Sequence, residues 1–265
     1  NAIDEYIMGH GREIQVGIEG TRVSVRDFGR GIPLGKVVDC VSKINTGAKY
    51  NDEVFQFSVG LNGVGTKAVN ALSRNFLVRS HRDGEFVEAT FRQGRLKAEK
   101  KGKVPGEPNG TFIEFEPDPE IFKETEFKAE HVERRLRHYS YLNAGLRLVY
   151  NGKVFQSRLG LLDLVMEDLA ADGGEPMYPP LHYTSKTLEF CFTHCNSRYG
   201  ETFYSFVNGQ YTSDGGTHLS AFREGLLKAV NEYAGAKYEG DDVREAMVGA
   251  VAIRLKDPIF ESQTK

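Results

Sequence analysis

VSVRDFGRGIP, residues 23–33, decides the fold of the first half of this chain. Apolar residues alternate at Val23 and Val25 as in a buried strand, which runs into Asp27 and is then broken by two glycines and a proline. The pattern places a carboxylate at a strand end, beside backbone without side chains that could exclude a flat ligand. An acid in that position can accept a hydrogen bond from the exocyclic amino group of a purine. The stretch therefore predicts the base-binding end of a nucleotide site.

The composition is that of an ordinary globular protein. The chain has 265 residues, of which 40% are hydrophobic and 27% charged, which is enough for two domains. No apolar run is long enough to span a bilayer and no signal peptide is visible, so we expect a cytoplasmic protein without a membrane partner. The net charge of −3 argues against tight binding of nucleic acid by this chain alone. Cys191 and Cys195 lack metal-ligand spacing and are expected to be buried thiols.

A second glycine-rich stretch follows a long polar run. The chain opens in an amphipathic helix that Gly9 ends, continues in strands over 13–18 and 21–26, and has helical spacing over 36–44. Residues 45–59 show no period, and a loop of that length predicts a lid. The loop ends in GLNGVG, residues 60–65, directly before an apolar helical face over 66–73. A glycine turn that opens a helix offers main-chain N–H groups to an anion, which predicts the phosphate end of the site.

Two better-known motifs are excluded at these positions. The GLNGVGTK stretch is not a P-loop, because Thr66 and Lys67 stand in the reverse order and no buried strand leads into it. Asp27, Phe28 and Gly29 spell the kinase DFG motif, but the chain contains no H-R-D catalytic loop. Each glycine stretch alone favours a structural turn, whereas together they supply both ends of one nucleotide site.

Four stretches, in order, resemble the sequence boxes of the GHKL ATPases: NAIDE at 1–5, DFGRGIP at 27–33, GLNGVGTKAVNALS at 60–73 and GT at 110–111. That superfamily includes the B subunits of type II topoisomerases, Hsp90 chaperones, MutL and sensor histidine kinases. Three later stretches resemble the transducer domain of gyrase and topoisomerase IV B subunits: DGGTH at 214–218, GDDVRE at 240–245 and DPIFESQTK at 257–265. The chain is therefore identified as a member of the bacterial type IIA B-subunit family. VGLNG at 59–63 and Glu88, at a position where gyrases commonly carry an inhibitor-contacting arginine, favour topoisomerase IV over gyrase.

The resemblance implies an α+β fold with two domains. Residues 1–152 would form a GHKL-type α/β sandwich, a mixed sheet with helices on one face. Residues 153–265 would form a ribosomal-S5-like α/β transducer domain that is truncated at its C-terminus. The Asn-Gly pair at 151–152 follows a strand over 146–150 and marks the predicted boundary.

The resemblance also implies ATP and Mg²⁺ as cofactors. It assigns Mg²⁺ to Asn1, the adenine amino group to Asp27, an ion pair with Glu5 to Arg30, and support of Asp27 to Thr111. The other implied nucleotide-binding residues are Gly29, Gly31, Ile32 and Pro33 in the turn, Lys49 in the lid, and Gly60, Leu61, Asn62, Gly63, Val64 and Gly65 around the phosphates. The implied catalytic residues are Gln263 and Lys265, which would reach the γ-phosphate from the second domain.

Further implications concern the whole enzyme. B subunits of this family would dimerise on ATP binding, work with a topoisomerase A subunit and pass DNA through a gate. The family's general-base glutamate and its dimer arm lie upstream of Asn1. Because this sequence starts without Met inside a helix, we expect a truncated chain that binds nucleotide but hydrolyses it poorly.

Three alternatives stay open from the residues alone. A MutL- or Hsp90-type ATPase shares the first-domain motifs, although the QTK and GDDVRE stretches disfavour it. A non-hydrolysing nucleotide-binding module fits the same motifs. A structural DNA clamp without nucleotide is disfavoured by the glycine stretches and the acidic balance.

The remaining sequence patterns predict elements with structural roles. Residues 97–109 are interpreted as a charged loop and residues 130–140 as a basic surface helix. The second half predicts helices over 159–169 and 217–233 and strands over 187–193, 202–208 and 249–255. Asp242 and Glu245 have capping-box spacing, and His218 is expected to make a structural hydrogen bond.

Overall fold

The computed structural model describes residues 1–44, 64–256 and 258–260. The chain divides into two units, Asn1–Gln156 and Ser157–Lys265. None of the described helices is long and apolar enough to cross a membrane.

The described part of the first unit builds one mixed sheet. Its strands are β1 (Glu13–Glu19), β2 (Arg22–Asp27), β3 (Ser73–Arg82), β4 (Glu85–Arg92), β5 (Arg95–Lys103), β6 (Gly110–Pro117), β7 (Arg147–Tyr150) and β8 (Lys153–Phe155). They lie in the order β5-β4-β3-β6-β2-β1-β7-β8. β1 and β7 are parallel, whereas the other neighbours are antiparallel. β2 therefore occupies the middle of the sheet, and Asp27 stands at its end.

Helices of the first unit cover one face of this sheet. They are α1 (Ala2–Ile7), α2 (Val37–Ser42), α3 (Gly65–Ala71) and α4 (Ala129–Leu142). Val37 and Val41 of α2 pack against β3 and β4, and Leu136 of α4 packs against β1, β7 and β8. The apolar clusters around Val41 and Leu136 lie on the same face of the sheet. Ile113 packs against the first cluster and pairs across the strands with Val25, which packs against the second. Burial of these side chains stabilises the sheet by about 1.5–3 kcal/mol for each fully buried residue.

The described residues of the second unit form a second sheet. Its strands are β9 (Leu181–Thr184), β10 (Leu188–His194), β11 (Thr202–Val207), β12 (Gln210–Tyr211) and β13 (Met247–Ile253), in the order β12-β11-β13-β10-β9. Its helices are α5 (Leu161–Ala171), α6 (Thr217–Ala234) and α7 (Gly240–Arg244). β11 and β13 are parallel, so this sheet is also mixed. α5 contacts β10 and β13.

Alternation along β10 separates the two faces of this second sheet. Phe222 of α6 lies 5.4 Å from the ring of Phe190 and 6.1 Å from that of Phe192. Cys191, which points to the opposite face from those two, is fully buried, as is Cys195. The prediction of buried thiols is confirmed, and both cysteines are free. The predicted structural role of His218 is also confirmed, since its Nε2 lies 3.1 Å from the hydroxyl of Thr212.

The interpretation of residues 97–109 as a loop is wrong for its first half. β5 pairs with β4 from Arg92↔Arg95 to Glu85↔Lys103 and forms the outer edge of the sheet. Its side chains are almost all exposed, so it has no alternation of apolar and polar residues to mark it as a strand. Lysines along an exposed edge also hinder pairing with other chains, which explains the composition.

The predicted domain boundary lies four residues before the division between the units. Asn151 and Gly152 both have positive φ, 45° and 86°, and form the tight turn of the β7–β8 hairpin. β8 therefore belongs to the first sheet, and the first unit continues to Gln156. An Asn-Gly pair is a strong hairpin signal, and here it marks a turn inside a domain.

The predicted capping box is displaced by three residues. The N-cap of α7 is Glu239, and Asp242 is the third residue of the helix. The side chain of Asp242 accepts a hydrogen bond from the amide of Glu239 at 3.0 Å. An acidic residue caps a helix from either position, so spacing alone did not determine which one Asp242 takes.

Candidate nucleotide-binding site

The carboxylate of Asp27 is held from one side only. Its Oδ1 accepts hydrogen bonds from the main-chain amides of Gly29, at 2.9 Å, and Thr111, at 3.2 Å. Among the residues that the structure describes, none donates to Oδ2. The residue is 8% exposed, so the second oxygen lies in a largely buried position with its acceptor capacity unused.

Burial is the largest influence on this acid. It raises the pKa of Asp27, while the amides of Gly29 and Thr111 act in the opposite direction. The charge of Glu5 raises the pKa further, and that of Arg26 lowers it. A desolvated carboxylate gains from any donor that a ligand brings to it, which suits this group to binding an amino group.

The glycines around Asp27 are required by backbone packing. A Cβ on Gly110, where φ is +140°, would overlap the main-chain oxygen of Asp27. A Cβ on Gly31, where φ is +75°, would lie 2.6 Å from the main-chain oxygen of His81. On Gly29 it would lie 2.8 Å from the side chain of Glu5. The sequence hypothesis explained Gly29 and Gly31 by room for a ligand, whereas the structure shows that neighbouring protein atoms exclude a side chain at both positions.

The predicted ion pair between Glu5 and Arg30 is confirmed. The Glu5 carboxylate accepts hydrogen bonds from the Arg30 amide and Nε, both at 3.0 Å, and from Nη2 at 2.9 Å. Burial opposes ionisation of Glu5, but the bonds from Arg30 outweigh it, so the pKa of Glu5 is lowered. The turn is fixed further on by Ser80, whose hydroxyl donates to the carbonyl of Ile32 at 2.7 Å. α1 and β3 thus hold the turn that follows Asp27, up to Pro33.

Asn1 lies beside the start of α3. Its Nδ2 donates to the hydroxyl of Thr66 at 2.8 Å. Val64 is the N-cap of α3 and Gly65 its first residue, so the described end of the glycine stretch adjoins α1. The first N–H groups of any helix lack partners within the helix. Asn1 therefore lies beside the start of the helix that follows the glycine stretch, and its role at the phosphate end stays a prediction.

Several predicted residues lie outside the described part of the chain. They are Lys49, Gly60, Leu61, Asn62, Gly63, Gln263 and Lys265. Their roles stay predictions.

Glu88, which the sequence analysis placed at the position of an inhibitor-contacting arginine in gyrases, lies on the sheet face opposite Asp27. Ser80 pairs with Thr111 on one side and with Val87 on the other, so the side chains of these residues point to the same face of the sheet as that of Asp27. Glu88 is the next residue along the strand after Val87 and therefore points to the opposite face. There it forms an ion pair with Arg79, and Lys100 lies 3.8 Å away. A preference for topoisomerase IV therefore cannot rest on this residue.

Two residues near the site gave no signal in the sequence. Arg82 packs against the turn, since a Cβ on Gly31 would lie 3.1 Å from its Cγ. Arg26 directly precedes Asp27 and is buried. Both stand on strands among other charged residues. The pairing of β3 with β6 brings Arg82 towards the site, whereas Arg26 adjoins Asp27 in the chain but lies on the opposite face of the sheet.

Comparison with known proteins supports the sequence resemblance. A family model described as DNA gyrase B matches residues 162–265. The crystal structure of the 43K ATPase domain of Thermus thermophilus gyrase B, in complex with an aminocoumarin, is 31% identical with a TM-score of 0.75. The match covers 98% of this chain and 75% of that one.

The chain belongs to the gyrase B family of type II topoisomerases.

Other relatives in the family refine the comparison. The DNA topoisomerase 4 B protein of Borreliella burgdorferi is 53% identical over the whole chain, and the DNA gyrase B protein of Archaeoglobus fulgidus is 35% identical. The higher identity supports topoisomerase IV over gyrase. This chain spans 44% and 46% of those two relatives, less than half of their length.

The fold agrees with the predicted class. The ATPase region of Saccharomyces cerevisiae topoisomerase II aligns with all of this chain and 75% of its own length, at a TM-score of 0.77 and 20% identity. The two mixed sheets with their helices thus correspond to the α+β architecture of a GHKL ATPase domain followed by a transducer domain.

Proposed function

We propose that the first unit of this gyrase B family member binds and hydrolyses ATP, and that the second unit transmits nucleotide binding to DNA strand passage. The observation that carries the proposal is the Asp27 carboxylate, of which one oxygen is fixed by the amides of Gly29 and Thr111. The other oxygen is left to accept the adenine amino group. The family resemblance supports the same assignment.

The proposed base site works by preorganisation. The amides of Gly29 and Thr111 fix the orientation of the Asp27 carboxylate before the ligand arrives, so little is lost in ordering it on binding. The Glu5–Arg30 pair holds the following turn, including Gly31, Ile32 and Pro33, against α1. The carboxylate then distinguishes adenine from a base without an amino group at that position.

The proposed phosphate site combines Asn1 with the glycine stretch. Main-chain amides of Gly60, Leu61, Asn62, Gly63, Val64 and Gly65 would surround the phosphates, with Lys49 on the lid. Mg²⁺, when bound with ATP, would offset phosphate charge. The Asn1 carboxamide fits that role because its Nδ2 is bonded to Thr66, which leaves its oxygen for a cation that needs few protein ligands.

The second unit is proposed to sense the γ-phosphate. Gln263 and Lys265 would contact it, and a cation there would stabilise charge that develops during transfer to water. Binding of ATP would then favour a closed arrangement of two B subunits around DNA, in complex with an A subunit in the cytoplasm. The names of the relatives support these partners, since they are the B subunits of topoisomerase 4 and gyrase.

The test is calorimetric titration of this chain with ADP and ATP, for the parent and for Asp27→Asn. We expect a loss of roughly 50-fold or more in affinity for both nucleotides, because the acceptor for the amino group becomes an amide. Asp118→Asn is the matched control. Asp118 is also buried, but it lies beyond the far end of β6 and bonds to Gln93.

Equal affinity in the parent and Asp27→Asn would contradict the proposal. A turnover assay on the same chain then distinguishes a hydrolysing enzyme from a nucleotide-binding module. Strand passage with a topoisomerase A subunit distinguishes this family's activity from that of a MutL- or Hsp90-type ATPase.

A further inference from the structure

Arg26 is a buried arginine on the sheet face opposite Asp27. The residue is 9% exposed, and its Nη2 donates to the carbonyl of Pro108 at 2.8 Å. The same nitrogen lies 3.4 Å from Oε1 of Glu107. The guanidinium carbon lies 5.0 Å from the centre of the Phe28 ring, within the range of a cation–π interaction. Arg26 therefore joins the end of β2 to the segment that leads into β6.

The site of Arg26 is not optimised for stability. Its Nη1 is buried, and no hydrogen-bond partner is found for it among the described residues. The same holds for Nδ1 of the buried His81. A buried donor without an acceptor costs free energy, and an apolar residue would avoid that cost at this strand position. The residue type thus points to a role other than folding.

The segment bound by Arg26 carries the groups that hold Asp27. Pro108 is two residues before Gly110, which packs directly on the Asp27 main chain, and the amide of Thr111 donates to Oδ1. The other side of the segment is fixed by Asn109, whose Oδ1 accepts a hydrogen bond from the amide of Asp83 at 2.8 Å. Without Arg26, the attachment of Pro108 to β2 is lost, while the bond of Asn109 to Asp83 and the pairing of Gly110 and Thr111 with β3 remain.

We propose that Arg26 is a positioning residue for nucleotide binding. Through Pro108 it keeps the Thr111 amide on Oδ1, which leaves Oδ2 directed at the adenine amino group, and its positive charge favours the ionised form of Asp27. The proposal rests on the proposed function, because it takes Asp27 to be the adenine acceptor.

Among the described residues, the charges that affect Asp27 are those of Glu5 and Arg26, which makes the contribution of Arg26 measurable. Glu5, on α1, raises the pKa of Asp27 and is itself paired with Arg30, whereas Arg26 lowers the pKa of Asp27. Around Arg26 stand Glu107, Arg79 and His81. Burial lowers the pKa of His81, with Arg26 and Arg79 adding to the effect, so His81 supplies no compensating charge at neutral pH. Removal of Arg26 should therefore make Asp27 protonate at a higher pH.

The test is a pH series of ADP affinity, from about pH 5 to about pH 8, for the parent and three variants. Arg26→Gln removes the charge, and Arg26→Lys keeps it without the guanidinium. Arg22→Gln is the matched control, because Arg22 is on the same strand and face but is bound to Glu116. The ADP affinity of each variant is divided by that of the parent at the same pH, so that the titration of the ADP phosphates cancels. Circular dichroism confirms that each variant is folded.

We expect Arg26→Gln to bind ADP roughly tenfold more weakly at neutral pH, with its loss of binding on acidification moved to higher pH. Arg26→Lys should restore the pH profile but not the full affinity, since a lysine cannot reproduce the guanidinium contacts. Arg22→Gln should match the parent. A merely structural role would lower affinity by the same factor at every pH.

Two results overturn the inference. One is an Arg26→Gln variant whose ADP affinity matches that of the parent at every pH. The other is a loss of ADP affinity by the same factor at every pH, seen in Arg26→Gln and in Arg26→Lys alike. If Arg26→Gln does not fold, a parental pH profile with unreduced affinity in Arg26→Lys also overturns it. Asp27→Asn is measured in parallel. If that variant binds as the parent does, the proposed function fails, whereas a loss in Asp27→Asn without an effect of Arg26 rejects this inference alone.

Discussion

Asp27 and Glu5 are two carboxylates on either side of one glycine turn, and their surroundings are opposite. Both oxygens of Glu5 accept hydrogen bonds from Arg30. Asp27 has main-chain amides on one oxygen, and nothing among the described residues donates to the other. Gly29 lies between the two acids, because its amide bonds to Asp27 and its Cα packs on Glu5.

The difference separates a structural acid from a binding acid. The pKa of Glu5 is lowered, because its bonds to Arg30 outweigh its burial, so the charged form belongs to the folded state. The pKa of Asp27 is raised, mainly by burial, so the charge on this carboxylate destabilises the folded state. Unused acceptor capacity of that kind is typical of a residue kept for a ligand rather than for stability.

The largest loss of stability is expected at Gly110, whose main chain packs directly on the main chain of Asp27. Gly110→Ala should destabilise the first unit by about 3 kcal/mol or more, because the new Cβ would overlap the Asp27 main-chain oxygen at a positive φ. Gly106→Ala is the matched control. It has φ +88° in the same segment with no atom within 4 Å of a Cβ, and should lose about 1 kcal/mol. Denaturant unfolding measures both, and equal losses would show that the close packing on Asp27 is absent.

Smaller changes in stability are expected when the two acids themselves are substituted. Glu5→Gln should destabilise the fold by about 1 kcal/mol at neutral pH, a modest figure because Arg30 is 42% exposed. Asp27→Asn should instead unfold at the same or a higher denaturant concentration, since it removes a buried charge. Glu130→Gln, from an exposed pair with Arg134, serves as the control and should change little.

The free energies of unfolding of Glu5→Gln and Asp27→Asn, each relative to the parent, should change with pH in opposite directions. The stabilisation from Glu5 is present above its ordinary pKa of 4.5 and is lost as pH falls through its lowered folded value. Stabilisation from Asp27 is fully present below its ordinary pKa of 3.8 and is lost as pH rises through its raised folded value. The advantage of Asp27→Asn should therefore disappear in acid. If the stability of both variants relative to the parent changed with pH in the same direction, the distinction between the two acids would be refuted.

Much of the base site could be predicted from sequence, because its residues adjoin in the chain. A strand that ends in an acid and glycines predicted β2 and Asp27, and the family resemblance implied the contacts of Arg30 and Thr111. The reason for the glycines could not be predicted, since the atoms that exclude a Cβ come from Glu5, His81 and the main chain of Asp27 itself. Such contacts depend on the tertiary fold, which no local pattern encodes.

Other features were missed for related reasons. β5 has no alternation because it is an edge strand with almost all its side chains in solvent. Arg26 looks like any charged strand residue until the pairing of β2 with β6 places it beside Pro108. Glu88 was linked to an inhibitor-contacting position by sequence alone, and only the strand pairing shows that it faces away from Asp27.

The most direct test of Asp27 as the adenine acceptor compares ADP with inosine diphosphate, which has an oxygen in place of the amino group. Titration calorimetry of the parent should show ADP binding roughly 100-fold more tightly, because a carboxylate accepts from the amino group and repels the oxygen. In Asp27→Asn that preference should vanish, since an amide can serve either base. A parent that binds the two nucleotides equally, or an Asp27→Asn variant that keeps the parental preference for ADP, would contradict the account.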